Sequence, residues 1–275
     1  MISNSVFRFG AIAVALLVAF GFGAASEYHF TRAQPYRSWS IKLGIAQPRT
    51  AARIDTRLDE ASQVACGQPD RVIVIIGQSN VANKVDERGT FPGNVRNFYD
   101  GKCYKAADPL LGATGATGSV WSRIAWQDEV LLVPLAVGST MIGDWAPGGP
   151  MYARTSNVLA RLDSLGLSPT HIVMHQGEDD AMEATDPAEY EADFQRLLVA
   201  LNDRTQARVI VGQTSHCRGV RSEAIIAAQL RAIAQAGVER GPNTDELSKD
   251  MRYDDCHFNA AGAQRAADMW APFVS

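Results

Sequence analysis

The stretch Arg71-Val-Ile-Val-Ile-Ile-Gly-Gln-Ser-Asn80 decides the fold. Val72 to Ile76 are all apolar and β-branched, with no polar residue between them. That is the pattern of a strand buried on both faces, as in the middle of a parallel sheet. The strand runs directly into Gly77-Gln78-Ser79-Asn80. Open α/β sheets present their chemistry beyond the carboxyl ends of their strands, so a hydroxyl delivered there by a glycine turn stands where a nucleophile would. Taken alone, Gly-x-Ser-Asn is also an ordinary turn with a helix cap, and the reading of Ser79 depends on what else the chain carries.

On the C-terminal side of this stretch, apolar runs alternate with amphipathic ones. Val130 to Ala136, His171 to His175, Arg208 to Gly212 and the region of Val238 read as further strands. Arg154 to Leu165 carries Val158, Leu159, Leu162 and Leu165 at helical spacing. Pro187 to Leu201 opens on a proline and puts Tyr190, Phe194, Leu197, Leu198 and Leu201 on one stripe, and Arg221 to Ala236 is another helix. Strand and helix alternating about five times predict an α/β domain with right-handed crossovers and helices on both faces of a parallel sheet. Val95 to Tyr104, with Asp100-Gly101 at its centre, reads as a hairpin. Short helices are expected over Ser122 to Gln127 and over Thr50 to Val64, the latter with Ile54, Leu58 and Ala61 on one face.

A chain of 275 residues with 46% hydrophobic content suits one catalytic domain with an N-terminal appendage. The net charge of −4, with no run of Lys or Arg, offers nothing to nucleic acid, which is not expected as a partner. Residues 9–25 are uncharged, follow Arg8 and end on Gly23-Ala-Ala-Ser26, so residues 1–26 read as an export signal. The run sits at the short limit of a spanning helix, about 17 to 25 residues, so a membrane anchor through residues 9–25 stays open beside cleavage. Cleavage is favoured by the small residues, and a periplasmic or extracellular location follows in either case. Residues 27–65 read as a linker with a short helix, and residues 66–275 as the catalytic domain. Cys66, Cys103, Cys217 and Cys256 permit two disulfides in three connectivities, and without any Cys-x-x-Cys they do not suggest structural zinc. The preferred pairing is Cys66 with Cys103 and Cys217 with Cys256, since the latter two fall in loops expected at one sheet edge. Four buried thiols are the alternative.

Near the C-terminus stands Arg252-Tyr-Asp-Asp-Cys-His-Phe-Asn-Ala-Ala-Gly262. A loop carboxylate three residues ahead of a histidine can reach the imidazole Nδ1 and leave Nε2 free to take a proton from a serine. Asp254 and His257 have that spacing, whereas the adjacent Asp255 would point elsewhere. Ser79 after the first buried strand, together with Asp254-x-x-His257 before the last helix, resembles the SGNH hydrolase superfamily. Gly77-Gln-Ser-Asn80 and Gln176-Gly-Glu178 are similar to its sialate O-acetylesterase-like branch of carbohydrate esterases.

The resemblance spans residues 70 to 275. It implies a three-layer α/β/α sandwich on a five-stranded parallel sheet of order 2-1-3-4-5. It also implies a serine esterase, needing no cofactor, that removes short acyl groups, chiefly O-acetyl, from a carbohydrate or polysaccharide. Ser79, Asp254 and His257 would be catalytic. The oxyanion hole would comprise the N–H groups of Ser79 and Gly118, with Gly115 as a rival, and the amide of Gln176. Gln78, Asn80, Trp145 and Glu178 would support the site or touch substrate. Gln176 takes the place of an asparagine in the wider superfamily, and Asp179 departs from the serine common in the branch. Val137-Gly-Ser-Thr-Met-Ile-Gly-Asp-Trp145 resembles the branch's glycine-rich loop, and Trp145 either lines a sugar site or packs the loop. An O-acyltransferase acting on an extracytoplasmic glycan, which excludes water from its second half-reaction, and a carbohydrate-binding module on an inactive hydrolase fold are the alternatives.

Two further readings come from the residues themselves. His171 and His175 on one strand lie about 13 Å apart at ~3.3 Å per residue, too far to share a metal ion. Asp179, Asp180 and Asp186 read as helix-start caps.

Overall fold

Residues 53–275 are described by a computed structural model; the segment read as an export signal, and residues 27–52 of the expected linker, lie outside the described residues. The strands are β1 (Gln63–Val64), β2 (Arg71–Gly77), β3 (Val95–Tyr99), β4 (Lys102–Lys105), β5 (Val130–Pro134), β6 (His171–His175), β7 (Arg208–Gln213) and β8 (Glu239–Asn243). They form one sheet of order β1-β4-β3-β5-β2-β6-β7-β8. From β3 to β8 in that order every pairing is parallel, while β4 and β1 are added antiparallel at the edge.

Counted along the chain, β5-β2-β6-β7-β8 have the order 2-1-3-4-5 implied by the resemblance. The sheet is wider than the five strands expected, because the Val95–Lys105 hairpin lays β3 parallel to β5 and brings β4 and β1 with it. The Cys66–Cys103 disulfide ties the end of the lead segment to β4.

Alternate residues of β2 enter different cores, which is why Val72 to Ile76 carry no polar position. Val72, Val74 and Ile76 join a cluster with residues of α2 (Pro150–Ser164), α4 (Pro187–Arg204) and α5 (Glu223–Ala236). Ile73 and Ile75 join another with Trp121, Trp126 and Trp270. Trp270 lies on α6 (Ala260–Val274), and its ring is 5.8 Å from that of Trp121. The sheet therefore lies between two apolar layers. The short helices α1 (Ile142–Trp145) and α3 (Glu178–Met182) follow the loops after β5 and β6. Among the described residues no helix is long and apolar enough to cross a membrane.

Two expected helices are replaced by other structure. The described part of Thr50 to Val64 holds a single 3-10 turn, Leu58–Glu60, and then β1. Buried Arg57 donates to the carbonyls of Lys105, Ala107 and Pro109, and Gln63 and Val64 pair with Tyr104 and Cys103, so the segment is held by distant partners instead of by its own turns. Over Ser122 to Gln127 only the turn Trp121–Arg123 forms. Ser122 Oγ is engaged by Asp108 Oδ2 at 2.6 Å, and Trp126 Nε1 donates to Trp121 O at 3.0 Å, so both ends of this stretch are anchored outside a helix.

Candidate active site

Ser79 opens a 3-10 turn, Ser79–Val81, directly beyond the carboxyl end of β2. The turn's bonds run from Val81 N–H to Gln78 O and from Ala82 N–H to Ser79 O, placing the Ser79 and Asn80 N–H groups at its open end. Gly77 makes the approach possible with φ +128°; a Cβ there would stand 2.0 Å from His175 O on the neighbouring strand. The side chains on either side of the serine lock the turn down. Gln78 Nε2 donates to Asp179 Oδ2 at 3.1 Å, and its Oε1 accepts from Asp179 N–H at 3.3 Å. Asn80 Nδ2 donates to Glu178 Oε1 at 2.9 Å and to Cys256 O at 3.2 Å.

That last bond brings the two ends of the domain together. Asn80 is the neighbour of Ser79 and Cys256 the neighbour of His257, so the serine and the imidazole flank one hydrogen bond between stretches 176 residues apart. His257 Nδ1 lies 2.7 Å from Asp254 Oδ2, while Asp254 Oδ1 accepts from the N–H groups of His257 at 2.7 Å and Cys256 at 3.1 Å. Burial alone would raise the Asp254 carboxyl, but the hydrogen bonds from His257 and Cys256 outweigh it and hold the carboxyl below its usual range. With Nδ1–H held by the carboxylate, Nε2 is left as the basic nitrogen. The loop is braced from behind. Buried Arg252 donates to the carbonyls of Cys256 (2.5 Å), Thr244 (2.9 Å) and Leu247 (3.3 Å), and Cys256 is bonded to Cys217. Asp255 turns away at φ +60°, with Oδ1 3.4 Å from His216 Nε2.

Below Ser79 lies a buried polar layer. Glu178, which holds Asn80, is fully buried, and burial pushes its carboxyl up to about 7. His175 Nδ1 is 3.6 Å from Glu178 Oε1, yet this is no ion pair: burial drives the imidazole down to about 3, so it is neutral, with Nε2 on Thr244 Oγ1 at 2.7 Å. His171 instead contacts Thr170 and Arg208, so the two histidines have separate surroundings. Among the described residues no three His, Cys, Asp or Glu side chains are grouped to hold a metal ion.

Residues 113–274 match the family described as carbohydrate esterase, sialic acid-specific acetylesterase. The chain belongs to this family. It is a hydrolase acting on ester bonds. The match takes in Asp254, His257 and the Gln176-Gly-Glu178 stretch, whereas Ser79 precedes it. Among curated proteins none matches the sequence. A solved protein from Arabidopsis thaliana is similar in fold, with a TM-score of 0.62 at 17% identity, over 75% of this chain and 98% of that one. A candidate SGNH hydrolase from Slackia heliotrinireducens (TM-score 0.49, 17% identity, 74% of this chain and 99% of that one) is also similar. So is a peptidoglycan O-acetylesterase (TM-score 0.47, 13% identity, 82% and 96%).

In this esterase several residues singled out in the sequence have different employment. Gly118 donates its N–H to Val85 O at 3.0 Å, in a bridge where a Cβ would meet Glu87 O at 1.9 Å, so it is committed to the loop and not to an oxyanion. The glycine beside Ser79 is Gly138: a Cβ built on it lies 3.5 Å from Ser79 Cβ and 3.4 Å from Thr114 Oγ1, and its N–H donates to Thr114 Oγ1 at 2.8 Å. The signal was present in the sequence as a glycine just past the strand that neighbours β2. Thr114 itself carried none.

Gln176 is buried with its amide already engaged. Nε2 donates to Thr140 O at 3.1 Å and to Asp180 Oδ2, and Oε1 accepts from Tyr190. It braces the floor of the site, and the oxyanion role expected of it is not available in this arrangement. Trp145 is buried with Nε1 on Thr140 Oγ1 at 2.9 Å, so it packs the loop and does not line a sugar site. Of the three expected caps only Asp186 acts as one, accepting from Ala188 and Glu189 N–H at the start of α4. Asp179 holds Gln78. Asp180 accepts from Ile142 N–H, Thr185 and Gln176, and burial pushes its carboxyl up to about 7.

Proposed function

We propose that this protein is a serine esterase that releases short acyl groups, chiefly acetate, from an O-acetylated sugar or polysaccharide, with Ser79, His257 and Asp254 as its catalytic residues. The carrying observation is the pair of contacts that join the two stretches: Asp254 on Nδ1 of His257 at 2.7 Å, and Asn80 on Cys256 O at 3.2 Å. As Ser79 Oγ bonds to the carbonyl carbon, its proton passes to His257 Nε2, and Asp254 favours the imidazolium that results. The negative oxygen is stabilised by the Ser79 N–H and by the hydroxyl of Thr114, which the Gly138 N–H holds in place at 2.8 Å and whose own proton is left to donate. Collapse breaks the bond to the sugar oxygen, which takes the proton from His257. Water, losing a proton to His257, then attacks the acyl-serine, and acetate leaves as Ser79 is reprotonated.

The protein acts outside the cytoplasm, with residues 1–26 directing export and residues 66–275 forming the catalytic domain. Its two disulfides, Cys66–Cys103 and Cys217–Cys256, support an oxidising compartment. The test is acetate release from triacetin and from a panel of acetylated glycans by the full chain, beside Ser79→Ala and His257→Ala. Losses of about a thousandfold or more in both variants are expected. Release that persists in Ser79→Ala refutes the mechanism.

A further inference from the structure

Tyr253 stands out among the described residues as the one aromatic ring in the group of strongly exposed large apolar side chains, at 47% exposure. Its position is not that of a loose surface residue. The ring stacks on the imidazole of His257, with centroids 5.8 Å apart and planes inclined by 24°. Its N–H donates to His257 O at 3.0 Å. On one side of it in the chain is Arg252, buried and bonded to three carbonyls; on the other is Asp254, bonded to His257. The backbone is thus fixed at a point where a large apolar face is open to water beside the catalytic base. Burial, then the Asp254 and Asp86 carboxylates, hold its phenol above the usual range, so it stays a protonated hydroxyl.

We propose that Tyr253 is the platform on which the sugar ring of the substrate rests while its ester carbonyl meets Ser79. The proposal rests on the esterase reading above. One face of the ring is stacked on His257, and its exposed surface offers the flat apolar area on which the C–H groups of a pyranose pack, with the phenol free to hydrogen-bond. Trp145, the aromatic that the sequence offered for this task, is buried and cannot take it. Tyr253 is therefore a specificity-determining residue, selecting ring-bearing acetyl esters over open-chain ones.

The experiment compares xylose tetraacetate with triacetin, both followed as acetate release by the full chain and by Tyr253→Ala, Tyr253→Phe and Ser79→Ala. The expected result is a ratio of kcat/KM for the sugar acetate over triacetin that falls roughly fivefold in Tyr253→Ala, carried by KM, and returns in Tyr253→Phe. A ratio unchanged in Tyr253→Ala overturns the platform, and so does an equal loss of kcat on both esters, which would mark a residue that only positions His257. Ser79-dependent hydrolysis of triacetin without hydrolysis of the sugar acetate also overturns it while leaving the esterase standing. Absence of Ser79-dependent release from either ester removes the esterase reading itself.

Discussion

Replacing Asp254 by asparagine tests the proposed chemistry with almost no change of shape. The asparagine keeps one carbonyl oxygen for the N–H groups of Cys256 and His257, which now bond Oδ1 at 3.1 and 2.7 Å, so the loop is retained. The other carboxylate oxygen, 2.7 Å from His257 Nδ1, becomes an NH2 group. Two donors cannot share that line. The imidazole must present Nδ1 as an acceptor, the proton moves to Nε2, and Nε2 can no longer take the proton that the proposed mechanism passes to it from Ser79. A wrong tautomer with intact geometry costs about a thousand- to ten-thousandfold in kcat, or roughly 4 to 5.5 kcal/mol of barrier. Asp255→Asn is the matched control. Its positive φ suits asparagine, and its carboxylate faces His216 and Lys249, not His257, so less than about a threefold change is expected. Steady-state hydrolysis of triacetin by both variants, with circular dichroism to confirm folding, decides the matter. Equal losses, or an Asp254→Asn enzyme within tenfold of the parent, would show that the carboxylate does not set the imidazole's tautomer.

Three other perturbations follow from the same geometry. In Gly138→Ala the new methyl meets Thr114 Oγ1 at 3.4 Å and Ser79 Cβ at 3.5 Å, close enough to crowd the carbonyl oxygen without clashing; kcat should fall by about tenfold or more with little change in Tm. Cys217→Ser and Cys66→Ser open loops of nearly equal length, 39 and 37 residues, each worth about 4 kcal/mol by loop entropy. Only the first removes a brace from the residue whose carbonyl anchors Asn80, leaving Arg252 to hold it alone, so at equal folded fraction Cys217→Ser should lose more kcat than Cys66→Ser; equal losses would uncouple that disulfide from the site. Glu178 keeps its proton to about 7 in the fold against 4.5 for the free group, so parental stability falls as pH rises through that window. Glu178→Gln lacks this slope, and the opposite slope of His175 is common to both proteins and cancels. The variant's Tm advantage should therefore grow between about pH 5 and pH 8, by up to a few kcal/mol of stability; an advantage independent of pH would mean that Glu178 titrates normally.

What could be read from the sequence is separated from what could not by the range of the interactions involved. The unbroken run Val72–Ile76 announces a strand covered on both sides because each residue reports only its own burial, and the stripe Tyr190, Phe194, Leu197, Leu198 and Leu201 does the same for a helix. Asp254 and His257 are equally local, since a carboxylate three residues ahead reaches the ring within one turn of chain. The choice between Gly118 and Gly138 is not local. It depends on β5 lying next to β2 in the register that sends Leu135 N–H to Ile75 O and Val137 N–H to Gly77 O, which delivers residue 138 to the side of residue 79. Gly118 has the same freedom of backbone but is paired with Val85 instead.

The aspartates make the same point from the other direction. An acidic residue at a helix start is a good cap when nothing else competes, as Asp186 is. At 179 and 180 the helix start lies at the carboxyl end of a central strand, where Gln78, Gln176 and Ile142 N–H converge, and bonds to those buried groups take precedence. A local rule therefore fails where strand ends converge around Ser79, because buried polar groups there must find partners across the sheet. By this reasoning Asp179→Ser, which restores the residue common in the resembled branch, should shift the placement of Gln78, and with it kcat, more than it shifts helix stability. A loss of Tm with unchanged kcat would show that the capping rule held after all.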